Sequence, residues 1–350
     1  MRNLTTLQPR FAAFVATALV AAAFAPRAGV AQTARPPYQL SVFAKSQDGY
    51  SQPDSIVQVG ASVVVGFQNH VAKDGTDGKS STLVQYSLSG RVERTWSVPG
   101  HNDGLRVING DQLWSVQNED ANPNLVIIDL QTGRPTLYSF PPTPHGGGYD
   151  DIVQAKNGDV FLTASNPNLD SSGHNVFPAL VRARVNARHG SIDLTTVILG
   201  NATSVDLPSG KQVTLNLTDP DSMTIDPRGI ITFTSQQDGL LIFVRNPLTP
   251  AQQVASLNLT SGGAMTTVDD TQFVPDGAAF MLFADVSGDT VYRLDTQLLG
   301  FEPGTPYSTS DTAGIVAVLN VDNGVLTTVA SGFQSTRGMT FVVPVDSDGD

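Results

Sequence analysis

A short motif recurs along this chain where β-strands are predicted to begin, and its repetition constrains the fold more than any other feature. Each copy opens with small or polar residues and continues into apolar residues, many of them β-branched. The copies are "QPDSIVQV" from Gln52, "HNDGLRVI" from His101, "GYDDIVQA" from Gly148, "DPDSMTID" from Asp219, "GGAMTTVD" from Gly262 and "STRGMTFV" from Ser335. Repetition at long, roughly regular intervals predicts an array of similar structural units.

The fourth copy shows the unit most clearly. After the motif begins at Asp219, the segments "IITFTS", "LLIFVRN" and "QQVASLNL" follow in turn, separated by "PRG", "QQDG" and a proline-containing link. Four short strands divided by turn residues predict an antiparallel meander, and a period of about 40–50 residues is typical of a propeller blade. Few segments have the apolar periodicity of a helix.

The spacing of the copies predicts the number of blades. Their first large apolar residues are Ile56, Leu105, Ile152, Met223, Met265 and Met339. Two spacings are long, which predicts insertions in the third blade (residues 166–175 and 200–212) and in the fifth (residues 296–313). A seventh blade within residues 265–339 is the alternative.

The two ends of the chain are predicted to share one blade. The sixth copy supplies a single strand before the chain ends, whereas "YQLSVFAKS" from Tyr38 has no blade before it. Pairing these segments would remove the free sheet edges of the ring. The fold class is therefore all-β: a six-bladed β-propeller of four-stranded antiparallel blades, closed by the N- and C-terminal strands.

Residues 1–31 have the pattern of a secretory signal peptide. Arg2 and Arg10 precede the apolar run of residues 11–25, and Gly29 and Ala31 occupy positions −3 and −1 of a cleavage site. The run is shorter than the roughly 20 residues needed to span a bilayer. We predict an exported chain, periplasmic or extracellular, with residues 32–350 as a single propeller domain.

Net charge and amino-acid composition limit the classes of partner that the chain is expected to bind. Loss of Arg2, Arg10 and Arg27 with the leader would lower the formal net charge from −12 to −15, and such a surface repels nucleic acid and anionic lipid. The expected partners are a small neutral or cationic molecule, or a protein or glycan. The chain has no cysteine, which excludes thiol catalysis, thiolate metal sites and disulfides.

The motif also predicts a cation site. The innermost strands of a propeller line its channel, so their first residues should meet at one mouth. These are Asp54, Asp103, Asp150 and Asp221, with Gly263 and Arg337 in the other two blades, and Asn166 follows a second strand. Converging carboxylates and amide oxygens favour a divalent metal, calcium above all. The alternative is that each aspartate only caps a turn.

Two of the five histidines are predicted to face the same mouth. His101 and His145 lie in loops that lead into innermost strands. Imidazole can move a proton near neutral pH, so each is a candidate acid or base.

The segment "PDSMTIDPRGIITFTS" (Pro220–Ser235) resembles the Pro-Asp-Gly signature of six-bladed propellers in the senescence marker protein and gluconolactonase family. NHL-repeat propellers are similar. The resemblance implies that Asp221 binds a divalent metal and that a further ligand lies near Asp150 or Asp151. Where the family has Glu-Gly-Pro, this chain has Gln52-Pro53-Asp54, which leaves open whether Asp54 replaces the glutamate.

Two functions are predicted. The first is a metal-dependent hydrolase of a small lactone or ester, with Asp221, Asp150, Asp54 and Asn166 at the metal and Asp103, His101 or His145 carrying the proton. The second is a non-catalytic exported propeller that binds a partner and holds a structural calcium. A lyase using metal and histidine is a third.

Overall fold

The computed structural model describes residues 31–297 and 300–345. Most of the predicted leader lies outside these residues, so its cleavage remains a prediction. All regular structure in the described ranges is β, and none of it is a helix that could cross a bilayer. The first fourteen strands are β1 Thr33–Ala34, β2 Tyr38–Lys45, β3 Pro53–Val59, β4 Ser62–Phe67, β5 Ser80–Ser87, β6 Val92–Pro99, β7 Asn102–Ile108, β8 Gln112–Gln117, β9 Asn124–Asp129, β10 Pro135–Ser139, β11 Tyr149–Gln154, β12 Val160–Ala164, β13 Pro178–Asn186 and β14 Ser191–Leu199.

The second half of the chain continues in the same way. Its strands are β15 Thr203–Asp206, β16 Gln212–Thr214, β17 Pro220–Ile225, β18 Ile231–Ser235, β19 Leu240–Arg245, β20 Gln253–Asn258, β21 Thr260–Ser261, β22 Ala264–Met265, β23 Thr271–Phe273, β24 Phe280–Asp285, β25 Thr290–Thr296, β26 Pro306–Ser310, β27 Ile315–Asn320, β28 Val325–Ser331 and β29 Thr336–Val342.

The first four repeats fold as consecutive antiparallel meanders. Strands β3 to β6 form one four-stranded sheet. Strands β7 to β10 and β11 to β14 form two further meanders, which a single parallel pair, Ser139 with Ser191, joins into one eight-stranded sheet. Strands β17 to β20 form the next meander, and the β15–β16 hairpin, from the predicted 200–212 insertion, extends its outer edge.

The last two groups of strands are interleaved, which the sequence did not predict. Strand β23 pairs with β26, although the β24–β25 hairpin lies between them in the chain. That hairpin belongs to a different sheet, ordered β2-β25-β24-β29. The segment 296–313 is therefore not a plain insertion, because it contains β26. The described residues between 265 and 339 complete two sheets and form no further meander of their own.

The predicted fifth motif was placed wrongly. Gly263 and Met265 belong to the β21–β22 hairpin, which pairs with β28 in parallel at an outer sheet edge, and Met265 is 66% exposed. The strand equivalent to the other innermost strands is β23, so the residue that corresponds to Asp54 is Asp269.

The innermost strands surround a central channel, and the hydrophobic core lies between neighbouring sheets. Strands β3, β7, β11, β17, β23 and β29 contact one another in this order, and β29 also contacts β3. Each hydrophobic cluster combines two adjacent groups of strands: Phe67 of β4 packs in one cluster with Leu282 of β24, for example. Because both faces of a second strand are covered, β4 and β24 are buried along their whole length.

Candidate functional site at the channel mouth

A β-bulge occurs at the same place in five of the innermost strands. The pairing register shifts just after the first residue of β3, β7, β11, β17 and β29. A bulge leaves an extra residue unpaired and changes the direction of its side chain, as often happens beside active sites. The residue that follows each first position is Asp54, Asp103, Asp150, Asp221 or Arg337.

These aspartates, with Asp269 before β23, line one cavity of about 140 Å³ at the end of the channel. We call the five carboxylates the acidic mouth: Asp54, Asp103, Asp150, Asp221 and Asp269. Each is between 5% and 8% exposed. Asn166, Glu119, Asp219, Lys73 and Arg337 also line this cavity.

Five of the seven site residues predicted from sequence thus meet in one cavity: Asp54, Asp103, Asp150, Asp221 and Asn166. Asn166 lies at its exposed rim, where its side-chain nitrogen donates to the carbonyl of Asp120 at 3.4 Å. His101 lies beside Asp103, with 3.3 Å between Nε2 and Oδ1. The roles of these residues remain predictions.

The expectation that His145 faces the mouth is wrong. His145 is fully buried, its Nε2 lies 2.7 Å from the carbonyl oxygen of Gly148, and its ring packs edge-on against Tyr149. It is not among the residues that line the cavity. The imidazole fixes the fold of the glycine-rich loop before β11.

Sequence reasoning missed several residues of the cavity, among them Asp269, Glu119 and Lys73. Asp269 could have been found from its doublet with Asp270, because "VDDTQF" repeats the Asp-Asp pair of "GYDDIV". Glu119 directly follows Asn118, a strand-end position that the repeat alignment includes. Lys73 lies in the loop between β4 and β5, and nothing in its local sequence indicates that it reaches the channel.

Two cationic side chains neutralise part of the mouth. The guanidinium of Arg337 lies 3.8 Å from both Asp54 Oδ2 and Asp269 Oδ1, and Asp54 Oδ2 also accepts a hydrogen bond from Gln68 Nε2. The ammonium of Lys73 forms an ion pair with Glu119. Asp269 likewise accepts a hydrogen bond from Gln236 Nε2, so Asp54 and Asp269 each have a guanidinium and a glutamine amide as partners.

The other three carboxylates of the mouth, Asp103, Asp150 and Asp221, have less positive charge near them. Burial raises the pKa of Asp150 well above its usual value, and the charges of Asp221 and Glu119 raise it further. Burial and neighbouring carboxylates likewise raise the pKa values of Asp103 and Asp221. For Glu119 burial acts in the same direction, but Lys73 and a hydrogen bond with Asp150 outweigh it and hold its pKa at about 2.

The donor set fits a divalent cation. Burial and neighbouring carboxylates raise the pKa values of several of these carboxyls, and a cation among them would lower those pKa values. In Asp221 both local hydrogen bonds, from the Ser222 amide and hydroxyl, go to Oδ1, so they do not occupy Oδ2. Hard oxygen ligands suit calcium, magnesium or manganese.

No protein-family model matches the sequence, and a search of the curated proteins finds no match. Solved structures do resemble it. A putative gluconolactonase has a TM-score of 0.52 at 14% identity, covering 90% of this chain and 91% of that chain. A streptogramin B lyase has a TM-score of 0.48 at 16% identity, covering 85% of this chain and 88% of that chain. The periplasmic gluconolactonase of Pseudomonas aeruginosa has a TM-score of 0.46 at 12% identity, covering 86% of this chain and 88% of that chain. The predicted resemblance to gluconolactonase-type propellers is confirmed for the fold.

Proposed function

We propose that the chain is an exported, metal-dependent hydrolase that opens a small lactone or ester at the acidic mouth. The observation that carries the proposal is the convergence of five buried carboxylates, four from innermost strands and Asp269 from just before β23, on a cavity of about 140 Å³. Buried like charges are costly unless a cation or proton compensates them, so a purely structural role is a poor explanation for all five.

The proposal includes the complete architecture: six blades and a closed ring. Counting each innermost strand once gives six groups, and the contact between β29 and β3 supports closure. The pairing of β2 with β25 supports a shared terminal blade. We further propose a single domain from residue 32 to 350, since each hydrophobic cluster is shared by neighbouring groups of strands.

The residues of the mouth have distinct tasks in this reaction. Asp221, Asp150 and Asp54 hold the cation, with Asn166 at the rim. A divalent cation there supplies polarisation of the ester carbonyl and acidifies water. Asp103 and Asp219 are the cavity carboxylates that can take up the proton of the attacking water, and Asp219 is the more exposed of the two. His145 has no part in the reaction because its ring contacts the Gly148 carbonyl and Tyr149, whereas His101 lies 3.3 Å from Asp103.

The substrate is small and neutral. The cavity is lined almost entirely by polar groups, and its surplus of carboxylates repels anions. The predicted export signal of residues 1–31 supports a reaction in the periplasm or outside the cell.

One observation favours the second function, a non-catalytic binding propeller. Arg337 lies between Asp54 and Asp269, and an arginine that neutralises the mouth would allow it to serve as a structural centre with the binding surface elsewhere. A protein or glycan partner would then bind the loops around the channel.

Hydrolysis of a panel of small lactones by purified residues 32–350 decides between the two functions. We expect hydrolysis that EDTA abolishes and a divalent cation restores. Asp221→Asn should reduce the rate about tenfold or more and weaken cation binding about tenfold, since it removes the charge of one ligand.

The matched control is Asp226→Asn. Asp226 is also buried and lies one residue after β17, but it caps a turn by accepting hydrogen bonds from the amides of Arg228 and Ile230. Its substitution should lower stability and leave the cation affinity of the folded protein unchanged. Failure of the protein to accelerate the hydrolysis of any lactone with any of the divalent cations would favour the binding propeller.

A further inference from the structure

The part of the mouth built by β7 and the loop after β8 contains a nitrogen donor as well as carboxylates. We infer that His101, Asp103 and Glu119 form a mixed nitrogen and oxygen metal site that binds a divalent transition ion of the Zn²⁺ type in preference to Ca²⁺. This site is separate from the cation position that Asp221, Asp150 and Asp54 form in the proposed hydrolase, and zinc binding there is independent of catalysis. With Asp103 as a ligand, proton transfer falls to Asp219.

The orientation of the His101 ring fixes which nitrogen is available. Nδ1 lies 2.7 Å from the backbone oxygen of Val71, and a carbonyl oxygen only accepts, so Nδ1 must carry a hydrogen. In the neutral ring the lone pair is then on Nε2. Metal-binding histidines commonly donate their other N–H to a backbone carbonyl, which holds the ring in place.

Nε2 is buried and has no hydrogen-bond partner among the described residues. The His101 side chain is 6% exposed and that of Asp103 is 4% exposed. An unpaired polar atom at this depth is unfavourable unless something outside the chain satisfies it.

The distance between the two side chains suits a shared ion better than a shared proton. Nε2 and Asp103 Oδ1 are 3.3 Å apart, whereas a charge-assisted hydrogen bond would bring them to about 2.7–2.9 Å. Zinc binds histidine nitrogen and carboxylate oxygen at about 2.0–2.2 Å, so two ligands of a tetrahedral ion are about 3.3 Å apart.

Glu119 supplies the third ligand. One donor atom from each of His101, Asp103 and Glu119 lies within 4.8 Å of the others. The backbone amide of Glu119 donates to Asp103 Oδ2 at 3.2 Å, which fixes the Asp103 carboxylate and directs hydrogen bonding away from Oδ1. Three protein ligands leave a fourth position for water or substrate, as catalytic zinc sites require.

Two further features favour zinc binding on the side of the mouth that contains His101 and Glu119. Arg337 and Gln68 engage Asp54 on another part of the rim, so a cation bound by Asp54 shares that carboxylate with a guanidinium. Near Glu119 the competing cation is Lys73, a flexible side chain that is 45% exposed and can move into solvent.

The test is calorimetric titration of metal-free residues 32–350 with ZnCl₂ and, separately, CaCl₂, with cobalt absorption as a second readout of a nitrogen ligand. His101→Asn is the decisive variant, because the asparagine amide can still donate to Val71 while Nε2 is lost. The matched control is His145→Gln, which keeps a polar group near the Gly148 carbonyl at the other buried histidine.

We expect one zinc ion per chain, bound more tightly than calcium. His101→Asn should weaken zinc binding about tenfold or more and alter the cobalt spectrum, and His145→Gln should do neither. Lys73→Met should strengthen zinc binding by removing a competing charge. If His101→Asn does not fold, Glu119→Gln gives the same readout with an isosteric change.

Equal zinc affinity in wild type and folded His101→Asn would overturn the inference, as would a site that depends on His101 but binds calcium more tightly than zinc. Zinc binding that depends on His101 in a protein without lactonase activity would instead support the metal site and reject the proposed function.

Discussion

Aspartates at similar positions in this chain perform three different tasks. Those of the acidic mouth line the cavity. Asp226 and Asp285 accept backbone N–H bonds and hold turns: Asp285 binds the amides of Gln334 and Ser335. Asp151 and Asp270, each next to a mouth aspartate, accept the amide of the following innermost strand, at Met223 and Met339. Within the mouth, Asp103 and Asp221 also accept backbone N–H bonds, so capping and lining the cavity are combined in the same side chains.

Asp270 lines the cavity but is not one of the five carboxylates of the acidic mouth, so it allows the strand-linking task to be tested by itself. Its Oδ2 accepts the Met339 amide at 2.9 Å, and burial, with help from Asp151, raises the pKa of Asp270 to about 7. Asp270→Asn keeps an acceptor and removes a buried charge, so stability should change little.

Asp270→Ala should destabilise the protein by about 1–3 kcal/mol, because a buried amide then has no partner. Urea unfolding of both variants measures this difference. Equal losses in the two variants would show that Asp270 contributes through its charge and not through the bond to Met339.

The sequence predicted the mouth residues well because the repeat places them in equivalent positions. It could not predict Lys73 or the burial of His145, because loop conformations determine where these side chains lie. Asp269 was missed for a different reason: the short β23 follows a hairpin that imitates the motif, and "GGAM" has the same small-to-apolar transition.

At the scale of the strands, local sequence identified most elements but not all of their partners. Strand β26 pairs with β23 across the β24–β25 hairpin, and the strand pattern of each segment is compatible with either sheet. Pairing between distant segments depends on which faces fit together in three dimensions. A shared sheet was easier to predict for the two terminal segments, because neither has the other strands of a blade next to it in the sequence.

Deleting residues 36–45 should destabilise the protein as strongly as deleting an interior strand. Strand β2 pairs with β25 from Tyr38 opposite Thr296 to Lys45 opposite Thr290, so its loss would expose the edge of β25. Thermal unfolding of the truncated protein tests this, and unfolding like that of the parent would show that β2 is dispensable.

A matched pair of substitutions gives the same test without truncation. Ala44→Asp buries a charge in the cluster shared with β4 and should be strongly destabilising. Val42→Asp changes a position of the same strand that is 51% exposed and should have an effect of less than about 0.5 kcal/mol.

At the scale of the whole molecule, the chain has no cysteine, so the association of neighbouring sheets must stabilise it without disulfides. The innermost strands approach closely where glycine permits it. A Cβ on Gly104 would lie 2.5 Å from the carbonyl oxygen of Asp150, and one on Gly338 would lie 2.6 Å from that of Asp54. The same close packing brings the mouth carboxylates together, so the fold's stability and the charge of its site are linked.

This link predicts an unusual dependence of stability on pH. Burial, together with nearby charge, raises the pKa of Asp219 to about 6 and that of Asp270 to about 7, whereas both are near 3.8 in the unfolded chain. Between about pH 4 and pH 7 the folded protein therefore binds more protons than the unfolded chain, and these groups stabilise the fold less as pH rises. In EDTA, the melting temperature should increase when the pH is lowered from 7.5 to 5.5.

A bound divalent cation should reverse this trend. The ion binds the ionised carboxylates of the folded state, so its affinity and the stability it adds both increase with pH. One unit of pKa difference corresponds to about 1.4 kcal/mol, or about 2–4 °C in melting temperature for a domain of roughly this size. Differential scanning fluorimetry with EDTA and with excess metal measures both slopes. Parallel profiles would mean that the mouth carboxylates bind no cation in the folded protein, whereas opposite slopes would show that proton and metal compete for the same oxygens.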